Sequence, residues 1–279
     1  IDDTRKLLGK IKLKDLLFGT SDDIVEDIME VNVVSVDVNS DQEEVLALMQ
    51  KYDLHVIPVI NKEEKLVGII TIDDIIDVME EEVTHDVHSM AGITKLEGSY
   101  LNTTVIEMAK SRIPWLLIIM VTAFFTEFVL EVFSVQLDTL PILAAFIPMT
   151  MGTAGNAANQ ATVMVIRAIV TDGIGIKDAT KILIKESAVS FYLIIAMSIA
   201  IMLRLFAFPP QLAVDIMLSI TAATVVSLFV GNIVGGLLPI VALQFKQDPA
   251  AMAGPLVTNI MDVASLVIYF IIAKLILGI

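Results

Sequence analysis

The sequence predicts two unlike parts in one chain: an α+β soluble domain, then an all-α membrane domain of five transmembrane helices. Three observations carry that reading. The 279 residues combine a mean hydropathy of +0.81 and 56% hydrophobic residues with a formal charge of −15, a pairing that no single globular composition gives. Division after Arg112 separates the two properties. Residues 1–112 hold 24 acidic and 11 basic side chains, net −13, whereas residues 113–279 hold 9 and 7, net −2. The hydrophobic pattern changes at the same place, from short alternating elements to apolar runs that approach or exceed the ~20 residues a helix needs to cross a bilayer.

Taken in order, residues 1–28 are short and incomplete. Leu16 and Leu17, followed by Gly19 and Ser21, close one helix, and Asp22 and Asp23 open another that runs to Met29. Residues 33–36 are β-like. Residues 40–52 form an amphipathic helix with Val45, Leu46, Leu48 and Met49 at core spacing and Ser40 or Asp41 as N-cap. Residues 55–60 and 66–71 are strands joined by the turn 61–65, and Asp73 starts a helix. This β-α-β-β-α order suits a small regulatory module. Helix 73–90 gives way to a linker, 91–102, containing Gly92 and Gly98, and residues 103–112 lead into the membrane. Apolar segments follow at about 113–135, 141–170, 182–208, 212–243 and 252–277. Lys110, Arg112, Arg167, Lys177, Lys181, Lys185 and Lys246 fall on the side of the soluble domain, against Arg204 and Lys274 opposite. That bias makes the soluble part cytoplasmic and puts the C-terminus outside.

Within the apolar half, residues 148–160 read PMTMGTAGNAANQ. Carboxamides in such a segment are costly unless they find partners or line a wet cavity. Gly152, Asn156, Asn159 and Val163 share a helical face, and Ala154, Ala158 and Thr162 form an adjoining small-xxx-small face. We read the first face as the wall of a cavity or pore; the competing reading is polar contact between helices. Asp262 is the sharpest single residue, because a carboxylate at mid-helix costs about 2.5–3.5 kcal/mol even on the lenient insertion scale. Thr258, Asp262, Ser265 and Tyr269 recur at i, i+4, i+7 and i+11 as one polar stripe. Asp262 is therefore expected to hold a cation, against a protonated or hydrogen-bonded structural role. Glu186, beside Lys181 and Lys185, suits either a pore entrance or a local ion pair. Glu127 and Glu131 at i,i+4 suit an external mouth, Asp248 a cap, and Gly231-xxx-Gly235 close helix packing.

The soluble half ends on a helix carrying Asp73, Asp74, Asp77, Glu80, Glu81, Glu82 and Asp86. Like charges three or four apart destabilise a helix by a few tenths of a kcal/mol per pair, and oxygen-rich clusters suit Mg²⁺ or Ca²⁺. Divalent-cation binding is thus expected there, the alternative being a solvated face. His85 and His88 fit surface histidines better than a transition-metal site. With no cysteine there is no disulfide framework and no thiolate metal site. The acidic balance would repel nucleic acid. There is no HExxH and no P-loop, so neither intramembrane metalloproteolysis nor ATP-driven pumping is expected, and the chain does not read as an enzyme. The N-terminal residues have no apolar core of a signal peptide, and Ile1 falls inside a domain, as in a fragment.

Val56-Ile57-Pro58-Val59 followed by Leu66-Val67-Gly68-Ile69-Ile70-Thr71-Ile72-Asp73-Asp74 resembles a CBS domain. Residues 1–28 resemble the tail of a preceding copy, with residues 9–15 as the counterpart of 68–74. Some CBS domains bind ATP or another adenosine nucleotide, and the resemblance implies phosphate contact at Thr71 and ribose contact at Asp74. In the first copy Lys12 replaces the hydroxyl residue and Asp15 remains. The competing reading is a helix N-cap at Asp73 or Asp74.

An acidic CBS pair, a linker helix and five membrane segments, in that order, resemble the MgtE family of magnesium channels. PMTMGTAGNAANQ with the following ATVMVIR, KILIKE, and DPAAMAGPLVTNIMDV are similar to the family's second, third and fifth membrane helices. The resemblance covers essentially the whole chain and divides it into a truncated first CBS domain (1–28), a second CBS domain (29–78), an acidic connecting helix and linker (79–112) and a channel domain (113–279). It implies a homodimer in the plasma membrane with a Mg²⁺ pore between the second and fifth helices of both subunits. Asp262 falls at the selectivity carboxylate, with Thr258 beside it and Gly152, Gly155, Asn156 and Asn159 on the pore-lining run. Asp73, Asp74, Asp77, Glu80, Glu81, Glu82 and Asp86 fall where the family senses cytosolic Mg²⁺ and gates. The chain departs from the pattern at Ala154 and Ala158, where some members have Gly, and at Gly254, where some have Asn. The usual N-terminal helical domain is missing. The expected function is Mg²⁺ import gated by cytosolic Mg²⁺; the alternative is a CBS-regulated secondary transporter of another divalent metal or an organic cation.

Overall fold

The computed structural model describes residues 1–20, 22–94, 98–208 and 212–279, which divide into two units, residues 1–85 and 86–279. In the first unit, α1 (Leu13–Phe18) and α2 (Val25–Ile28) precede β1 (Val36–Asp37), α3 (Gln42–Lys51), β2 (Val56–Ile60), β3 (Leu66–Thr71) and the start of α4 (Ile72–Met90). The β-α-β-β-α order expected from the sequence is present. β1 pairs parallel with β2, and β2 antiparallel with β3. Pro58 sits in the central strand, where a missing N–H is usually excluded. It is tolerated because β1 meets β2 only at Val59 and Ile60. The expected strand 33–36 shrinks to β1 for the same reason: only its end finds a partner. Asp41 caps α3 by accepting the Glu43 N–H. Val36, Val45, Met49, Ile57 and Ile75 close the small core.

The N-terminal segment carries several ion pairs. Lys6 pairs with Glu64, and both Lys10 and Lys12 pair with Glu30. Those two ammonium groups hold the Glu30 carboxyl below the usual glutamate range, Lys12 contributing more. Lys12, which the resemblance to a CBS domain sets in place of a phosphate-contacting hydroxyl residue, is thus engaged in an ion pair. The predicted helix 22–29 is only the single turn α2, and Ser21, read as part of the preceding helix stop, lies outside the described residues.

The second unit holds α5 (Val105–Val132), α6 (Ser134–Thr139), α7 (Ile147–Asp172), α8 (Ala179–Ala207), α9 (Val214–Gln244) and α10 (Pro255–Leu277), with short 3-10 turns at Pro141–Phe146, Ile176–Asp178 and Ala250–Met252. Thr104 and Glu107 form a reciprocal capping box that starts α5, so the helix takes in most of the 103–112 lead-in before the expected apolar segment. Part of that linker, residues 95–97, lies outside the described residues. Among the described residues, four helical stretches are long and apolar enough to cross a membrane: Val105–Val132, Ile176–Ala207, Val214–Gln244 and Ala250–Leu277. The remaining expected segment is α7, which falls outside these four. Its 26 residues give about 39 Å at 1.5 Å per residue, ample length, but its threonines, glycines and carboxamides remove the apolarity.

α9 is the most enclosed span and α5 the most exposed. The small-xxx-small face of α7 lies against Gly231 and Gly235 of α9. A Cβ at Gly231 would come within 2.6 Å of the Ala154 carbonyl oxygen, and one at Gly235 within 2.1 Å of that of Ala158. The Thr162 hydroxyl lies 2.9 Å from the Ala158 carbonyl and 3.0 Å from that of Gly235. Thr150 and Thr224 share a hydroxyl–hydroxyl bond of 2.9 Å. Glycine is required here because backbone approaches backbone.

Candidate functional site

The adjoining side of α7 faces α10, and Ala154 and Ala158 also share a buried cluster with Val257 and Met261 of α10. Gly155 allows the approach: a Cβ there would sit 3.1 Å from Thr258 Cγ2. One turn along α7, Asn159 Oδ1 accepts the Gly254 N–H at 2.8 Å. The Thr258 hydroxyl donates to the Gly254 carbonyl at 2.9 Å, leaving its own lone pairs available. Asp262 follows one turn after Thr258. It is half-buried, and its carboxylate has no hydrogen-bond or ion partner among the described residues. Gly152 and Asn156 lie on the exposed side of α7, with Gln160 one turn further. Asn156 and Gln160 make no side-chain hydrogen bond among the described residues. The sequence-predicted group thus assembles as one wall: Gly155, Asn159, Thr258 and Asp262 along the α7/α10 contact, with Gly152 and Asn156 at its open side.

The polar stripe of α10 divides. Ser265 and Tyr269 are buried. The Tyr269 hydroxyl donates to the Leu143 carbonyl at 2.9 Å, and the Ser265 hydroxyl to the Asp262 carbonyl at 3.3 Å. Helical spacing aligned four polar groups, but the two aromatic-side members are consumed by the core, and only Thr258 and Asp262 stay at the α7 face.

Glu186 stands apart from this wall. Its side chain crosses α9 at Gly236, whose Cβ would come within 2.8 Å of Glu186 Cγ. One turn deeper, Asn232 Nδ2 donates to Ser190 Oγ at 3.0 Å, and Ser190 donates to the Glu186 carbonyl. The local ion pair considered for Glu186 is not formed among the described residues: Lys181 bonds Asp178 at 2.8 Å. Glu127 and Glu131 are exposed on α5, and Asp248 caps the turn after it by accepting the Ala250 N–H.

In the soluble unit, Asp73, Asp77, Glu80 and Glu81 are exposed along α4, and Glu82 accepts a bond from the Gln42 carboxamide. Asp86 lies just past the boundary of that unit. Among the described residues no three acidic or histidine side chains converge as a metal cage. The carboxylates form a row, and a hydrated cation on that row needs further oxygens from water or another chain. The Thr71 hydroxyl donates to Asp74 Oδ2 at 2.7 Å and the Thr71 N–H to the same oxygen at 3.3 Å. The pair named for nucleotide contact is therefore closed on itself, in the manner of a helix cap.

Sequence reasoning missed the Asn159–Gly254 bond, the Ser190–Asn232 pair and the Thr150–Thr224 pair. Only Gly254 carried a signal, as a glycine directly before a helix-opening proline.

A family model described as "Divalent cation transporter" matches residues 147–272, and a CBS domain model matches residues 25–81. The chain is 32% identical over 277 residues to a magnesium transporter, MgtE, of Thermus thermophilus, covering 99% of this chain and 61% of that protein. It is 31% identical to the magnesium transporter MgtE of Bacillus subtilis over 98% of this chain and 60% of that protein. A solved structure of the cytosolic domain of the Mg²⁺ channel MgtE in complex with ATP is 44% identical over 28% of this chain and 32% of that one, with a TM-score of 0.28. The chain spans about three fifths of the length of the curated relatives it matches.

Proposed function

We propose that the chain, whose residues 147–272 match a model described as a divalent cation transporter behind a CBS domain match at 25–81, is a Mg²⁺-selective channel or transporter importing Mg²⁺ across the plasma membrane. One observation supports this most: a half-buried carboxylate, Asp262, without a partner among the described residues, beside a helix whose exposed face bears carboxamides likewise unpaired among them. In lipid such groups require water or a second polypeptide. A homodimer in the bilayer, bringing two copies of the α7/α10 wall face to face, supplies both.

Mg²⁺ is the substrate of this wall. It dehydrates reluctantly and prefers octahedral oxygen coordination. Asp262 of each copy neutralises the ion through its water shell. The Thr258 hydroxyl, the carboxamide of Asn156 and backbone oxygens near Gly152 and Gly155 take further water protons or contacts, with Asn159 on the same wall. Two facing carboxylates favour a divalent over a monovalent ion, since Coulomb attraction scales with the charge product.

Regulation follows by linkage. Cytosolic Mg²⁺ on the row Asp73, Asp77, Glu80, Glu81, with Asp74, Glu82 and Asp86, relieves like-charge repulsion and favours a closed arrangement; its loss restores repulsion and opens the pore. ATP or another adenosine nucleotide binds at Thr71 and Asp74 by breaking their mutual hydrogen bond. The soluble part is cytoplasmic and the C-terminus outside.

The test is Mg²⁺ flux into liposomes carrying the full chain, with competing divalent ions. Asp262→Ala is expected to abolish flux, and normal flux through this variant overturns the assignment. The second reading, a secondary transporter of another divalent metal or organic cation, is favoured only by the Glu186–Ser190–Asn232 group off the main wall. Uptake driven by an imposed pH gradient and lost in Glu186→Gln would replace the channel reading with it.

A further inference from the structure

Gly254 is where three elements of the helical unit meet. Its φ of +57° and ψ of −122° form a conformation that side chains rarely adopt. Its N–H is held by Asn159 Oδ1 of α7. Its carbonyl receives both the backbone N–H of Thr258, at 3.2 Å, and the Thr258 hydroxyl, so the first turn of α10 hangs from it. A Cβ at this position would lie 2.0 Å from the carbonyl oxygen of Met90, the last residue of α4. The contact continues next door. Gly92, at φ +67°, brings the turn after α4 so close that its Cβ would lie 3.3 Å from Pro255 Cγ and 3.4 Å from Trp115 Cγ.

We propose that Asn159 and Gly254 are positioning residues: together they couple the end of α4 to the placement of α10, and through it to Asp262. Asn159 acts through the Gly254 N–H rather than as an ion ligand. The latch works because position 254 has no side chain. Met90 can seat on the Gly254 backbone only while Asn159 holds that backbone in its left-handed form. Movement of the α4 end is then felt at the Gly254 carbonyl, hence at Thr258 and, one turn on, at Asp262. This inference rests on the transport reading and adds to it the route by which the connecting helix reaches the carboxylate.

The experiment uses the full chain in planar bilayers, recording unitary Mg²⁺ conductance and the cytosolic Mg²⁺ concentration that half-closes the channel. Gly254→Ala is expected to raise the half-closing concentration about tenfold, within the usual 5–150-fold range of coupling between sites, with unitary conductance unchanged. Gly92→Ala, a gentler intrusion on the same contact, is expected to raise it less, and it serves if Gly254→Ala does not fold. Asn159→Ala is expected to act in the same direction and to be non-additive with Gly254→Ala, because both remove one link. Variants that fold and close like the parent overturn the latch, as does an altered conductance with unaltered closure in Gly254→Ala. If the parent conducts no Mg²⁺, the transport reading fails, and amide exchange still decides the latch. Asn159→Ala must then speed exchange at residues 88–93 and 254–258 together; acceleration of neither, or of 254–258 alone, overturns it.

Discussion

Two faces of α7 use small residues for different ends. Toward α9, Ala154, Ala158 and Thr162 meet Gly231 and Gly235 with backbone almost on backbone, and the Thr162 hydroxyl is satisfied by carbonyls of both helices. Toward α10 and the open face, Gly152 and Asn156 are exposed, and Asp262 has no partner among the described residues. In an apolar medium polar groups are either paired or functional. The satisfied side therefore reads as the part that holds the fold, and the unsatisfied side is the part we propose to meet ion and water. The difference lies in what the hydrogen-bonding groups have left to offer.

The comparison breaks most visibly at Gly235 and Asp262. Gly235→Ala puts a methyl group 2.1 Å from the Ala158 carbonyl oxygen, and backbone cannot yield as a flexible side chain can. A loss of about 3 kcal/mol is expected, read as a lower yield of folded protein and a lower unfolding midpoint in detergent; flux per folded molecule should be retained. Asp262→Asn should do the reverse. It removes an unpaired carboxylate whose insertion costs about 2.5–3.5 kcal/mol, so thermal stability should hold or rise while Mg²⁺ flux collapses. A folded Gly235→Ala protein without flux, or a destabilised Asp262→Asn, would erase the distinction between the two sides.

A smaller effect sharpens it. Asn156→Val fills the exposed face of α7 with an apolar group of similar size. In a single chain this should be neutral to slightly stabilising, because the carboxamide has no bond to lose among the described residues. In membranes it should reduce flux several-fold, on the order of the 1.4 kcal/mol that separates tenfold levels of an equilibrium, by removing a contact to the ion's water shell. Equal loss of flux and stability would move Asn156 to the structural side.

Much of this was legible in the sequence. The charge break at Arg112, the β-α-β-β-α order and the apolar helices rest on composition and period, which tertiary context leaves intact. The facing of Ala154 and Ala158 with Gly231 and Gly235 was half legible: each motif was visible alone, but their pairing is a matter of three-dimensional register. Helical spacing misled at Tyr269, because a stripe says which groups share a face of one helix and not which of them a neighbour will cover. The 3-10 segment before α7 brings the Leu143 carbonyl to the Tyr269 hydroxyl, and nothing in the α10 pattern announces it. The role of Asn159 was hidden likewise. Its partner is a backbone N–H 95 residues away, exposed only because Gly254 adopts a backbone that no periodicity encodes.

Thr162 gives the smallest and most discriminating test of the packed side. Its hydroxyl serves two carbonyls, one in its own helix and one across the seam at Gly235. Replacement by Val keeps the shape and the β-branch but removes the donor. The intrahelical carbonyl keeps its backbone bond, so the loss falls on the interhelical contact, worth about 0.6 kcal/mol on average and up to ~1.7 in membrane helices. The expected result for Thr162→Val is a small drop in the unfolding midpoint with unchanged flux. Combined with Gly235→Ala it should add little, because the intruding methyl group already separates the two backbones. Full additivity would mean that Thr162 stabilises α7 alone, and that the seam is held by shape without the hydrogen bond.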